Sequence, residues 1–336
     1  MVCLIWTIIG LLEYRKRDRA QRMLSVFGVV TTALYFCHYL HFNGVANSWS
    51  DALWHFCNLS VYPLYAIYVE RLTHRETEVW KQDLPWLLPA VIVCGLNLAG
   101  YPTELGSKII FALVSIAAGI KALADLLRFR KRVENYYASP EGKRLDPILV
   151  LVTLQLFTMV SSIVSNFVGR EPFMNSPTLA IPALIFSTLL FGIFYIGFAT
   201  EIPAEEVRSI LYASPVRDMG EEQQNKLMEK IEQQMQTEEL FRTQGLTIME
   251  LATAVGSNRT YVSNTINQIR GCSFSDYVNG YRVRFAQEQM LNTDTPSLAE
   301  IAAMAGFTDR TSFYRCFKKI TGTNPSSWLS GQKEDA

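Results

Sequence analysis

Seven apolar runs occupy the first 200 residues: Met1–Leu12, Leu24–Phe42, Leu53–Val69, Leu84–Tyr101, Ile109–Leu127, Pro147–Val168 and Thr178–Ala199. A helix needs about 20 apolar residues to cross the hydrocarbon of a bilayer. Only helices and closed barrels satisfy their own backbone polar groups there. Runs of this length predict a polytopic transmembrane helical bundle of about seven spans over residues 1–200. The first run is short because Glu13 interrupts it. It either thins the bilayer around it, or the true start of the chain lies upstream. It does not resemble a cleavable signal peptide, since no basic stretch precedes it and no small-residue cleavage site comes after it.

Positive charge in the loops orients the bundle. Arg15, Lys16, Arg17, Arg19 and Arg22 follow the first run, Arg71, Arg75 and Lys81 the third, and Arg128, Arg130, Lys131, Arg132, Lys143 and Arg144 the fifth. The opposite loops carry only Lys108 and Arg170. The two sides alternate consistently, which predicts a multi-pass protein of the cell inner membrane with its C-terminal half in the cytoplasm.

Polar residues inside spans mark function more often than elsewhere. His38, His41 and His55, with Cys57 close by, fall near the outer ends of the second and third spans. They admit two readings: a metal, haem or small-ligand site, or groups that bridge neighbouring helices and the headgroup interface. Cys37 and Asn58 lie close to these histidines and share both readings, Asn97, Ser165 and Asn166 fit interhelical hydrogen bonds, and Trp54, Trp80 and Trp86 fit interfacial anchors. The six cysteines show no CxxC and no zinc spacing, so neither a disulfide framework nor a bound cofactor is expected. No HExxH, paired aspartates, GxSxG or Ser-His-Asp arrangement occurs in the spans, so the chain is not expected to be an enzyme.

Residues 201–220 read as a linker, with Pro203 and Pro215 among mixed charges. From Glu221 a helix is expected with Leu227, Ile231 and Met235 on one face, either packing on the C-terminal helices or pairing two copies. Then Thr247–Gly271 and Ser297–Gly322 repeat one pattern. Thr247 with Glu250, and Ser297 with Glu300, form capping boxes. Gly256 and Gly306 end the short helices in the left-handed conformation. Longer helices come next, with buried stripes Val262, Ile266, Ile269 and Phe313, Phe317, Ile320. Short helix, turn and long helix make a helix-turn-helix, a DNA-reading device. Arg259, Thr260, Ser263, Asn264 and Asn267 then face outward in the first unit, and Arg310, Thr311, Ser312, Arg315, Lys318 and Lys319 in the second. Polar groups flanked by cations suit a major groove. A helix over Ser275–Asn292, about 27 Å long at 1.5 Å per residue, can hold the two units about one DNA turn apart.

Ser273-Phe-Ser-Asp-Tyr277 with Arg282, then Ile301-Ala302, Gly306-Phe307-Thr-Asp-Arg310, Phe313 and Phe317-Lys318-Lys319 through Gly322 to Pro325 resemble the AraC/XylS family of transcription regulators. The resemblance covers Glu221–Leu329. It implies a seven-helix domain with two helix-turn-helix units around a central helix. It also implies base contacts from Thr260, Ser263 and Asn264, and from Thr311, Ser312 and Arg315. Arg259, Arg310, Lys318 and Lys319 would meet the DNA backbone.

Residues 221–336 hold 12 basic and 14 acidic side chains, but residues 256–322 hold 8 against 5, so cations gather where phosphates would lie. The expectation is a membrane-embedded regulator with partners in promoter DNA, the bilayer, RNA polymerase, a second copy of itself and an unknown signal. The alternative is a membrane receptor or transporter-like protein whose C-terminal domain binds a protein.

Overall fold

The computed structural model describes residues 2–12, 14–15, 19–45, 47–73, 80–140, 146–168, 180–199, 219–291 and 297–334. Among them the chain is all-helical, with fourteen α-helices and a single isolated antiparallel bridge, Tyr137 to Thr247. The 201–220 linker lies almost wholly outside the described residues, as do Lys16, Arg17, Arg75, Lys143, Arg144 and Arg170 of the loops. The chain forms two compact units, residues 1–129 with 145–207, and residues 130–144 with 208–336. The second unit thus includes a segment, 130–144, that the division near residue 200 assigned to the apolar half.

In the first unit each apolar run forms a helix: α1 (Val2–Leu12), α2 (Arg19–Phe42), α3 (Ser48–Thr73), α4 (Trp80–Leu98), α5 (Glu104–Tyr136), α6 (Asp146–Val168) and α7 (Ala180–Ala199). Among the described residues three of them, α2, α5 and α6, are long and apolar enough to cross a membrane, fewer than the seven expected. The shortfall has physical causes. Helix α1 has 11 residues, about 16 Å at 1.5 Å each. Helix α3 is long enough, but its charge-free stretch between Asp51 and Glu70 is diluted by Trp54, His55, Asn58, Ser60 and three tyrosines. Helices α4, of 19 residues, and α7, of 20 residues without a charge, count here only over Asp83–Leu98 and Thr188–Phe198, the parts whose side chains are described.

Large apolar side chains point outward along these helices, including Ile109, Leu113, Ile116 and Ile120 of α5 and Val150, Phe157, Val160 and Val164 of α6. Phe157 is 74% exposed. Inside, the Phe27 ring of α2 lies tilted against both Tyr65 of α3 and Phe194 of α7, each at 5.8 Å between centres. Lys121 of α5 reaches Glu70 of α3 at 3.1 Å and Asp125 at 2.9 Å, an ion cluster in an otherwise apolar setting.

The second unit contains seven α-helices after residue 219: α8 (Glu221–Gln236), α9 (Ile248–Ala254), α10 (Arg259–Arg270), α11 (Phe274–Leu291), α12 (Leu298–Met304), α13 (Arg310–Thr321) and α14 (Pro325–Glu334). It has two cores. Leu227, Ile231 and Met235 of α8 pack with Leu251, Val262, Ile266 and Val278 in the first, so the apolar face of α8 is spent within the unit. Ile301, Ala302, Phe307, Phe313 and Phe317 pack with Val283, Ala286 and Met290 in the second. Helix α11 supplies both, and Phe285 lies against each. Fully burying one such side chain contributes about 1.5–3 kcal/mol, so each core suffices to anchor its pair of short helices on α11.

A short 3-10 turn, Leu240–Arg242, joins the cores. Arg242 Nε donates to Met304 O at 3.1 Å, and Gln244 Nε2 to Phe307 O at 3.4 Å. Arg282 of α11 is fully buried beside this turn. Its Nε donates to Phe241 O at 2.7 Å and its Nη2 to Thr243 O at 2.8 Å. The same guanidinium lies 5.5 Å from the ring centre of Phe307 in the second core.

Candidate nucleic-acid interface

Local chemistry builds the two repeats. In the first, Thr247 caps α9 through a complete capping box with Glu250, and Gly256 turns the chain at φ +65°. Asn258 then caps α10, its Oδ1 accepting from the Thr260 and Tyr261 backbone N–H groups at 3.0 and 2.9 Å. In the second, Ser297 and Glu300 form the box for α12, Gly306 turns at φ +87°, and Asp309 caps α13. Gly271 and Gly322 close α10 and α13 in the left-handed conformation. Each repeat is a helix-turn-helix, and α10 and α13 occupy the position of its reading helix.

The exposed face of α10 carries Asn264, with Thr260 and Ser263 half-buried beside it. Asn267 Nδ2 donates to Ser263 Oγ at 3.3 Å. On α13, Thr311, Arg315 and Lys318 are exposed. Arg310 folds over the Tyr314 ring, its Nη2 donating to the hydroxyl at 2.9 Å. Lys319 is ion-paired with Asp276 of α11, so a phosphate would have to displace a carboxylate to reach it.

Ser312 departs from expectation. It is 2% exposed and cannot meet a base edge from this position. As the third residue of α13 it turns back onto the cap, its N–H and hydroxyl both donating to the Asp309 carboxylate at 2.8 Å. The inner stripes also end early. Val262, Ile266, Phe313 and Phe317 are buried, but Ile269 and Ile320 lie in the last turns of their helices, past the edge of the core, and are exposed.

The Ser312 backbone N–H is the largest influence holding the Asp309 carboxyl below its ordinary value. A carboxylate with a depressed native pKa contributes stability above its unfolded pKa and loses it as pH falls through the native one. The cap on α13 therefore weakens only in acid, below the usual carboxylate range. Asp309→Ala is expected to cost about 1 kcal/mol at neutral pH and to remove that acid dependence. A variant whose thermal midpoint falls in acid as the parent's does would contradict it.

Sequence reasoning missed one set of residues. The segment Tyr136–Ser139, which ends α5 and belongs to the second unit, lies against the first repeat. Ala138 is fully buried in the first core. Its N–H donates to Leu246 O at 2.9 Å, and its carbonyl accepts from Ser275 Oγ and Asn279 Nδ2, each at 3.0 Å. Ser139 Oγ accepts from Arg282 Nη1 at 3.0 Å. The one available signal was the aromatic pair Tyr136-Tyr137 inside a strongly basic loop.

In the first unit, Trp54 Nε1 donates to His38 Nε2 at 3.3 Å, and the Trp54 ring lies 4.8 Å from His55. Cys57 and Cys37 are buried and not in a disulfide. His41 sits in the last turn of α2. No three His, Cys, Asp or Glu side chains converge as metal ligands among the described residues, and the Trp54–His38 bond joins α3 to α2.

Residues 251–331 match the family model described as a helix-turn-helix domain. The chain is 32% identical over 83 residues to the uncharacterized HTH-type transcriptional regulator YtdP of Bacillus subtilis (strain 168), covering 25% of this chain and 11% of that protein. It is 28% identical over 110 residues to the probable transcription factor PqrA of Proteus vulgaris, covering 33% of this chain and 85% of that protein. The chain thus spans about a tenth of the first relative's length and most of the second's. No solved structure matches.

Proposed function

We propose that the chain is a membrane-embedded one-component transcriptional regulator, in which a helical bundle senses a signal and governs promoter reading by the C-terminal double helix-turn-helix. The observation that carries the DNA reading is the pair of repeats, α9–α10 and α12–α13, fastened to one helix by two cores. Asn264, Thr311 and Arg315 stand on the exposed faces as base readers, with Thr260 and Ser263 beside them. Lys318 is a backbone contact, joined by Arg310, Lys319 and Arg259 once Tyr314, Asp276 and the Tyr136 ring release them.

The outward apolar faces of α5 and α6 support embedding in a bilayer, since patches of this extent are not left in water. The docked Tyr136–Ser139 segment supports the topology. It belongs to the same unit as residues 219–334, so the chain between crosses the membrane an even number of times. If α6 crosses, α7 crosses as well, and its 20 residues without a charge, about 30 Å of helix, are long enough. Loop charge puts this side in the cytoplasm.

The test is selection from random duplex DNA by the full chain in detergent micelles across a salt series. Enrichment of two half-elements about one turn apart is expected. Failure to enrich any site at low salt would remove the DNA reading and favour a C-terminal domain that binds a protein. On the selected site, Arg315→Ala is expected to relax preference at one base pair by about 1–3 kcal/mol. Lys318→Ala is expected to weaken all sequences alike and to lower the salt slope by about 1. Exchange of these two phenotypes would put the wrong face of α13 toward the bases.

A further inference from the structure

Arg259 opens the first reading helix, yet its guanidinium lies 5.8 Å from the centre of the Tyr136 ring. Its Nη2 is buried and has no hydrogen-bond partner. A cation with an unmatched N–H under an aromatic ring is stabilised by the ring's face, but it would form stronger, charge-assisted bonds with a phosphate. Burial also pulls its pKa below the ordinary arginine value.

The ring is held there by its neighbours on the C-terminal side. Tyr137 makes its antiparallel bridge with Thr247, the cap of α9. Ala138 and Ser139 are fastened by four hydrogen bonds, one given by Ala138 to Leu246 O and three received from Ser275, Asn279 and Arg282. The segment therefore touches the cap of α9, the start of α10 and the central helix together. It is also the end of α5, a continuous helix that begins at Glu104 in the other unit.

We propose that Tyr136–Ser139 is a built-in lock on the first helix-turn-helix: docked, it holds Arg259 under the Tyr136 ring, and withdrawal of the end of α5 frees Arg259 for a DNA phosphate. The lock rests on the DNA-reading assignment and adds to it the element through which a signal acts. Two states with different DNA affinity are what such coupling requires, and a docked or withdrawn segment supplies them.

The experiment uses the full chain in detergent micelles and a mixed-sequence duplex of about 30 base pairs, three helical turns, because a phosphate contact needs no particular sequence. One additional phosphate contact steepens the dependence of log K on log salt by about 0.9, equivalent to about eightfold tighter binding at 0.1 M salt. Tyr136→Ala is expected to show both changes. Tyr136→Phe, which keeps the ring, is expected to behave as the parent. Amide exchange across residues 137–139 is expected to be slow without DNA and to quicken when DNA is added.

Unchanged affinity and slope in Tyr136→Ala would overturn the lock, as would unprotected amides at 137–139 in the DNA-free chain. A uniform weakening in Tyr136→Ala would overturn it too, showing that the ring positions Arg259 for DNA rather than withholding it. If no variant binds DNA at any salt, the DNA reading fails and the lock falls with it, and slow exchange at 137–139 would then mark a docked segment of another purpose.

Discussion

Arg282→Ala is expected to destabilise the DNA-binding unit by at least about 1–3 kcal/mol, because it strands the buried Phe241 carbonyl. Phe241 O takes its hydrogen bond from Arg282 Nε, whereas Thr243 O takes one from Nη2 and another from the Leu246 N–H at 3.4 Å, and the guanidinium has no exposed surface. The same side chain reaches Ser139 and lies against Phe307, so its loss loosens the docked segment and the junction of the two cores together. Arg282→Lys is not a rescue: a single ammonium on a flexible stem cannot present a planar fork to three acceptors on two segments. Amide exchange of α11 tracked through a denaturant series of the full chain reads the effect. A loss below about 1 kcal/mol would mean that water takes over the carbonyls, and the role assigned to Arg282 would be wrong.

The second large effect is a contrast between two glycines that occupy the same place in the repeat. Both turn in the left-handed region, Gly256 at φ +65° and Gly306 at φ +87°. A Cβ on Gly256 would meet nothing within 4 Å, whereas one on Gly306 would sit 2.6 Å from Arg242 O and 2.7 Å from Phe241 O. Gly256→Ala therefore carries only the left-handed penalty of about 1–2 kcal/mol. Gly306→Ala adds a backbone collision that no rotamer relieves, bringing its cost to about 3 kcal/mol or more. Equal destabilisation of the two variants, measured in the same denaturant series, would show that the 240–244 turn does not press on Gly306.

Features written in local chemistry were legible in the sequence. The capping boxes at Thr247 and Ser297, the left-handed glycines and the inner stripes Val262/Ile266 and Phe313/Phe317 depend on residues a few positions apart, and the structure has them. The seven-helix architecture implied by the family resemblance is there as well. Ser312 was misplaced because a serine on a reading helix has two uses, and its spacing of three from Asp309 turns it inward to the cap. Seven spans were drawn as apolar runs, without weighing the brevity of α1 or the polar side chains, His55 and Asn58 among them, that dilute α3. The docked segment was invisible for a deeper reason: Ala138 is held through its own N–H and C=O, groups that every residue but proline carries in full.

The 240–244 turn, keyed beneath Gly306 and bonded to Met304 and Phe307, has a consequence that falls on the promoter rather than on the protein. Two reading helices fixed to one axial helix and wedged from the side cannot swivel to follow their targets. Each base pair inserted between the half-elements carries the second one about 35° around the duplex and about 3.4 Å along it. A pair of domains on a flexible tether would accommodate such a change. This domain would not, so its operators are expected to hold one spacer length while their half-element letters drift.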